Sequence, residues 1–325
     1  MNPNHQSILA AVGAAAMLTS IAHAEIIIFA GSQGIIQQLD TVTGEISSQG
    51  LCGGPVSSMV VHDNALYLAG SQGVVYAFDL TTNQITNFFA VDSDANAMTW
   101  LGNQLVVADS DGEILYIDAQ SHEVLNSMTV TPTDITAIGF DAGGLFVGGF
   151  STLAVRAHIG HNNFLPFAAC GSQINSMAFG SDFLYIGGIA FGGSTAGTVY
   201  VFDKFEGGSQ YYAVRAVDSD ATAMVKSGDM LYIAGSDGVI HEMNTRSGII
   251  ERTFDTGIDI QAMTPQNGQV SCPADYDASG SLNFLDVSRF IDLFSNELVP
   301  ADTNGDGQFN FFDVSEFLRI YSGGC

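Results

Sequence analysis

Basic residues are scarce in this chain. Eight Lys and Arg stand against 34 Asp and Glu, for a formal net charge of −26. Such a surface repels polyanions, which excludes nucleic acid and anionic membranes as partners. Tryptophan occurs once, at Trp100, and cysteine four times. No apolar run beyond residue 24 approaches the length of a membrane-spanning helix, so no membrane span is expected. Nucleophile motifs, a His-x-x-x-His pair and a glycine-rich phosphate loop are also missing, and no catalytic residue is assigned.

The first 24 residues have the form of a signal peptide. Ile8 to Ile21 is an apolar, alanine-rich run too short to span a membrane comfortably, and Ala22-His23-Ala24 has the small-x-small form of a cleavage site. Cleavage after Ala24 would release a secreted chain, extracellular or held at a cell surface, where calcium and oxidised cysteines are both expected.

Residues 25–268 repeat with a period of 39. The phrase Leu66-Tyr-Leu-Ala-Gly70-Ser-Gln-Gly73 recurs from Ile26, Leu105, Leu145, Leu184 and Leu231, making six copies. Upstream of each phrase a short strand is marked by Met59, Met98, Ile138, Met177, Met224 or Met263, which read as inner-strand core. Downstream come a Gly turn, an alternating strand, a polar turn and a fourth strand. Asp40, Asp79, Asp118, Asp203 and Asn244 share one turn position, where their side chains are expected to bond the turn backbone. The body starts at a second strand and ends with an orphan first strand at Ile260 to Thr264, so the last strand is expected to complete the first blade. The expected fold is all-β: a six-bladed β-propeller closed by a C-terminal strand. The phrasing resembles the WD-repeat and quinoprotein-type propellers in pattern, without a repeated Trp-Asp pair or a recurrent Trp.

One propeller face gathers the fourth-to-first and second-to-third connections. It would carry Asp92, Asp94, Asp218 and Asp220 as a possible ligand face, with the Gly-rich insertion Ala190 to Gly197 beside them. These carboxylates read as turn formers, as cation holders near a channel mouth, or as acid–base pairs for a carbohydrate-active hydrolase or lyase. His158 and His161 read as exposed loop histidines or a metal pair. Cys52 and Cys170 occupy matching loops, and a bond between them would need both to lean over the channel.

Residues 269–325 form a second unit. Asp275-Tyr-Asp277-Ala-Ser279-Gly280-Ser-Leu282-Asn283-Phe-Leu-Asp286 recurs 27 residues on as Asp302-Thr-Asn304-Gly-Asp306-Gly307-Gln-Phe309-Asn310-Phe-Phe-Asp313. Oxygen donors stand at positions 1, 3, 5, 9 and 12 and glycine at 6, the spacing with which one loop surrounds a hard cation. Position 7, Ser281 and Gln308, would offer its backbone carbonyl. Val287, Phe290, Ile291 and Phe294, and then Val314, Phe317, Leu318 and Tyr321, mark one face of a following helix. With Pro273 and Pro300 before the loops, no helix leads into either.

This loop-then-helix pair, with Asp at position 12, resembles a dockerin domain. The ending Ser322-Gly-Gly-Cys325 resembles the GC-type dockerin. The resemblance implies a small all-α domain with two calcium sites, ligated by Asp275, Asp277, Ser279, Asn283 and Asp286 and by Asp302, Asn304, Asp306, Asn310 and Asp313. It further implies anchoring to a cohesin-like or other extracellular protein, leaving the propeller face for a protein or glycan. Phe284-Leu285 and Phe311-Phe312, at loop positions 10 and 11, read equally as core or as interface. Cys272 and Cys325 bracket the module and are expected to form a disulfide.

Overall fold

The computed structural model describes residues 25–70, 73–130, 134–141, 144–149, 152–158, 164–171, 173–180, 182–189, 197–204, 213–218, 220–267, 274–276, 281–304 and 308–323. Residues 1–24, Cys272 and Cys325 lie outside these residues.

Short β-branched and aromatic runs, cut by Gly, Asn and Asp, form strands. The first blade supplies β1 (Ile26–Ala30), β2 (Ile35–Asp40) and β3 (Ile46–Leu51). The second holds β4 (Ser58–His62), β5 (Ala65–Ala69), β6 (Val74–Asp79) and β7 (Ile85–Ala90). The third holds β8 (Ala95–Leu101), β9 (Gln104–Asp109), β10 (Glu113–Asp118) and β11 (Val124–Thr129). The fourth holds β12 (Ile135–Asp141), β13 (Gly144–Gly149), β14 (Leu153–His158) and β15 (Leu165–Ala169). The fifth holds β16 (Ile174–Phe179), β17 (Phe183–Ile189), β18 (Gly197–Asp203) and β19 (Ala213–Val217). The sixth holds β20 (Ala223–Ser227), β21 (Met230–Ala234), β22 (Val239–Asn244) and β23 (Ile250–Asp255).

A last strand, β24 (Ala262–Pro265), pairs antiparallel with β1 from Ile27↔Pro265 to Ala30↔Ala262. The first sheet therefore runs β24-β1-β2-β3, and all six sheets have four strands. β24, β4, β8, β12, β16 and β20 neighbour one another in a closed ring. The molecule is a six-bladed β-propeller.

The period of 39 has a packing reason. Met59, Met98, Ile138 and Met263 share hydrophobic clusters with Ala30, Ala69, Ala108 and Ala234 of the preceding blade. Met177 and Met224 seat against Gly148 and Gly187 in the same way. Each blade thus inserts one long side chain over one small residue, and the pattern runs all the way round the ring. Interdigitation of large on small is how close-packed interiors avoid voids. The outer turns repeat as well. Asp79 Oδ1 accepts the Thr81 and Thr82 N–H groups at 2.8 Å each. Asp40, Asp118 and Asn244 cap their own turns identically.

The C-terminal unit has two helices, α1 (Phe284–Ser295) and α2 (Phe311–Gly323), joined through a 3-10 turn at Val299–Ala301. Phe290 and Phe317, equivalent residues of the two repeats, stack with centroids 4.0 Å apart and rings within 3° of parallel. Tyr276 packs edge-on against both. Ile291 and Leu318 were expected in this core, but both are exposed, and Leu293 and Ile320 pack inward instead. The helices meet along the line centred on the stacked pair, which turns the i+4 flank of each stripe to solvent.

Candidate functional site

The two loops lead into their helices through identical bonds. Asn283 caps α1, accepting the Leu285 N–H at 2.7 Å, while Asp286 accepts the Asn283 N–H at 2.7 Å. Asn310 accepts the Phe312 N–H at 2.8 Å and Asp313 accepts the Asn310 N–H at 2.8 Å. This reciprocal box satisfies orphan donors at a helix start. Loop positions 9 and 12 therefore also set the helix entry. Asp286 and Asp313 are 0% exposed, and Asp275 and Asp302 are nearly so. Gathering four buried carboxylates in so small a unit calls for donors or cations to hold them. An all-oxygen donor set is the kind a hard divalent ion takes. Asp277, Ser279 and Asp306 lie outside the described residues. Among the described residues no group of three or more His, Cys, Asp or Glu side chains is placed to hold a metal.

Loop positions 10 and 11 face outward. Phe284 is 77% and Phe311 75% exposed, with Leu285 and Phe312 exposed beside them. Added to Ile291 and Leu318, they give each repeat the same three apolar residues in solvent. These side chains fill no core.

On the propeller, Asp92, Asp94 and Asp218 are exposed. Asp220 is not free for chemistry, because its Oδ1 accepts both the N–H of Ser236 at 2.9 Å and its hydroxyl at 2.8 Å. Asp220 thus braces its loop, and among the described residues no group of three or more His, Cys, Asp or Glu side chains gathers these carboxylates into a cation site. Cys52 and Cys170 are both free thiols, each with its pKa raised by burial, that of Cys170 to about 12. The side chain of His158, and His161 altogether, lie outside the described residues.

A cavity of about 110 Å³ runs between the inner strands. At its mouth Ser57, Thr136 and Thr222 donate to the carbonyls of Ala95, Ile174 and Ile260 in the next blade, at 2.8, 2.5 and 2.6 Å. Asn96, Asn175 and Gln261 hold the matching position in the alternate blades. Bulges in β8, β12 and β16 leave Asn96, Thr136 and Asn175 out of the pairing register. A bulge re-aims a side chain, and Thr136 and Asn175 line the channel. Hydroxyls bind the ring together and amides alternate with them. Sequence reasoning took only the methionines from this region.

The opposite face meets the tail. Arg289 of α1 reaches Asp182, between β16 and β17, at 3.1 Å. Arg156, near the end of β14, is buried. Burial pushes its guanidinium pKa down, against the opposing pull of Tyr276, Asp141 and Asp302. Beside it, Lys204 Nζ pairs with Asp141 Oδ2 at 2.5 Å, both buried. No motif marked these residues. The available signal was the rarity of Lys and Arg, since two of only eight fall at strand ends on one face.

No protein-family model matches the chain, and no curated protein sequence matches it. Among solved structures it is similar to a chain from a nidogen/laminin complex, with a TM-score of 0.63 and 14% identity over 77% of this chain and 100% of that one. At that identity the likeness concerns the propeller fold.

Proposed function

We propose that this chain is a secreted binding protein whose propeller holds a protein or glycan ligand and whose C-terminal unit anchors it, in a calcium-dependent way, to a cohesin-like or other extracellular protein. The observation that carries the reading is the duplicated apolar triad Phe284, Leu285 and Ile291 with Phe311, Phe312 and Leu318, exposed on a unit in which Asp275, Asp286, Asp302 and Asp313 are buried. Exposed apolar groups clustered this way mark interaction sites. Inward carboxylates at calcium-loop spacing supply the metal dependence. Arg289 of the tail meets Asp182 in a first-to-second-strand connection, whereas Asp92, Asp94, Asp218 and Asp220 belong to fourth-to-first connections, and this supports a ligand on the face that carries them. The similar propeller chain comes from a complex of two proteins, which favours a protein ligand over a glycan.

Calcium titrated calorimetrically into metal-stripped residues 25–325 should fill two sites. Asp286→Ala should remove one and Asp313→Ala the other. A chain that takes up no calcium would sink the anchoring half of the proposal. An array of extracellular proteins and glycans probed with the same chain tests the other half.

A further inference from the structure

The innermost strand of every blade opens on an uncharged polar side chain, and the six alternate in kind. Blades two, four and six present Ser57, Thr136 and Thr222, while blades one, three and five present Gln261, Asn96 and Asn175. All six are half-buried, and all but Asn96 line the cavity of about 110 Å³ between the inner strands. The hydroxyls have already spent their protons. Ser57 Oγ lies 2.8 Å from the Ala95 carbonyl, Thr136 Oγ1 2.5 Å from that of Ile174 and Thr222 Oγ1 2.6 Å from that of Ile260. A carbonyl only accepts, so each hydroxyl donates to the next blade and keeps only lone pairs for the channel. The amides complement them. Among the described residues the side chains of Asn96 and Asn175 have no hydrogen-bond partner, and Gln261 gives one proton to Asp259 at 3.5 Å and keeps the other. The rest of the wall is largely apolar, with five of the periodic methionines on it. Among the described residues no Asp, Glu, Lys, Arg or His lines the cavity, in a chain of net charge −26.

We propose that the channel is a binding site for a small neutral polyhydroxy compound, a monosaccharide or a polyol of that size. The inference goes beyond the partner reading and stands whether the propeller face holds a protein or a glycan. Three acceptors alternating with three donor-bearing amides ask for a ligand that donates and accepts at successive positions. Each hydroxyl of a sugar does both, with one proton and two lone pairs. The methionine side chains adapt to the C–H surface of such a ring. A charged ligand would give up its hydration with no opposite charge to meet it. The size agrees. One water needs about 10–15 Å³ in a cavity, so the channel takes roughly seven to eleven water-sized groups, close to the heavy atoms of one sugar ring with its hydroxyls.

Methyl NMR on residues 25–325 with labelled methionine tests this. The probes are free glucose, galactose, mannose, xylose and myo-inositol, with glucuronate as the charged counterpart. At least one neutral compound should shift the methyl signals of Met59, Met98, Met177, Met224 and Met263, which line the cavity, and leave Met128, Met230 and Met243 in place. Glucuronate should shift none. Asn175→Leu, which removes an amide without a protein partner, should keep the wild-type circular dichroism and weaken the bound compound about tenfold, the scale of one lost hydrogen bond. No shift with any neutral compound, shifts confined to the methionines outside the cavity, or glucuronate bound as well as glucose would overturn the proposal. Equal affinity in wild type and Asn175→Leu would overturn it too. Each of these outcomes leaves the partner reading standing, since that reading needs no small molecule in the channel.

Discussion

Asp79 spends one carboxylate oxygen on two backbone N–H groups, and that use sets its titration. Its pKa is held below the ordinary 3.8 chiefly by the Thr82 N–H and then by that of Thr81. Asp40 and Asp118 are lowered by the same kind of bond. A group depressed in the folded state contributes stability above its unfolded pKa and loses it as pH falls through the folded value. The outer turns should therefore hold at neutral pH and loosen only below 3.8. Blade six contains its own control, because Asn244 makes the same two bonds without a charge. Carbon-detected titration should place the Asp79 midpoint under 3.8, and amide exchange at Thr81 and Thr82 should quicken below it while Arg246 and Ser247 do not change. A midpoint at or above 3.8 would contradict the bond assignment. These turn residues were legible because a side chain that bonds two residues ahead needs only local sequence. Asp220 was not. Its partner Ser236 lies 16 residues away across the face, and no spacing announces that.

Between blades, one long side chain seated on one small one is the unit of construction. A Cβ on Gly187 would come within 2.6 Å of Ser176 Oγ, 2.9 Å of Ala221 Cβ and 3.0 Å of Met224 Cε. Gly187→Val should therefore cost about 1–3 kcal/mol by overpacking. Met224→Ala empties the other side of the contact and should cost about 2–5 kcal/mol. Because each change relieves part of the damage done by the other, the double variant should lose less than the sum. Urea midpoints of the four proteins close that cycle, and strict additivity would place the two residues in separate contacts. Strand elements were readable from alternation and turn residues, and the methionine period marked the ring correctly. The helices were readable in existence, but only partly in the face they bury. A stripe at i, i+3, i+4 and i+7 leaves two flanks open, and the stacking of Phe290 on Phe317 decided between them. That stack joins elements from different repeats, which periodicity within one helix does not report.

For the whole molecule the decisive place is the seam where the sixth blade meets the first. Glu242 is buried there and receives the Tyr232 hydroxyl at 2.9 Å. Arg252 pairs with the same carboxylate and donates to the Thr41 carbonyl of the first blade at 2.6 Å. Ring closure was legible from the count of strands, since an orphan first strand at one end and a missing one at the other have a single economical solution. The lock was not legible, because Arg252 and Thr41 are 211 residues apart. Removing Arg252 leaves a carboxylate buried without its cation, which costs on the order of 2–4 kcal/mol when part of the pair faces water. Whether the far side of the ring feels that loss depends on how the blades unfold. Trp100, the single tryptophan, is fully buried on β8 of the third blade, directly across the ring from the sixth. It stacks on His62 at 4.0 Å, so its emission reports local packing there. Blades that contact only their neighbours unfold piecemeal unless the ring ties them together. In a closed ring, Arg252→Met should lower the urea midpoint read by Trp100 as much as the midpoint read by circular dichroism. Glu242→Gln added to Arg252→Met should recover part of it, since no buried charge is then left unpaired. A Trp100 midpoint unmoved by Arg252→Met, with circular dichroism shifted, would mean that the blades fold as separate units and that the seam guards only its own edge.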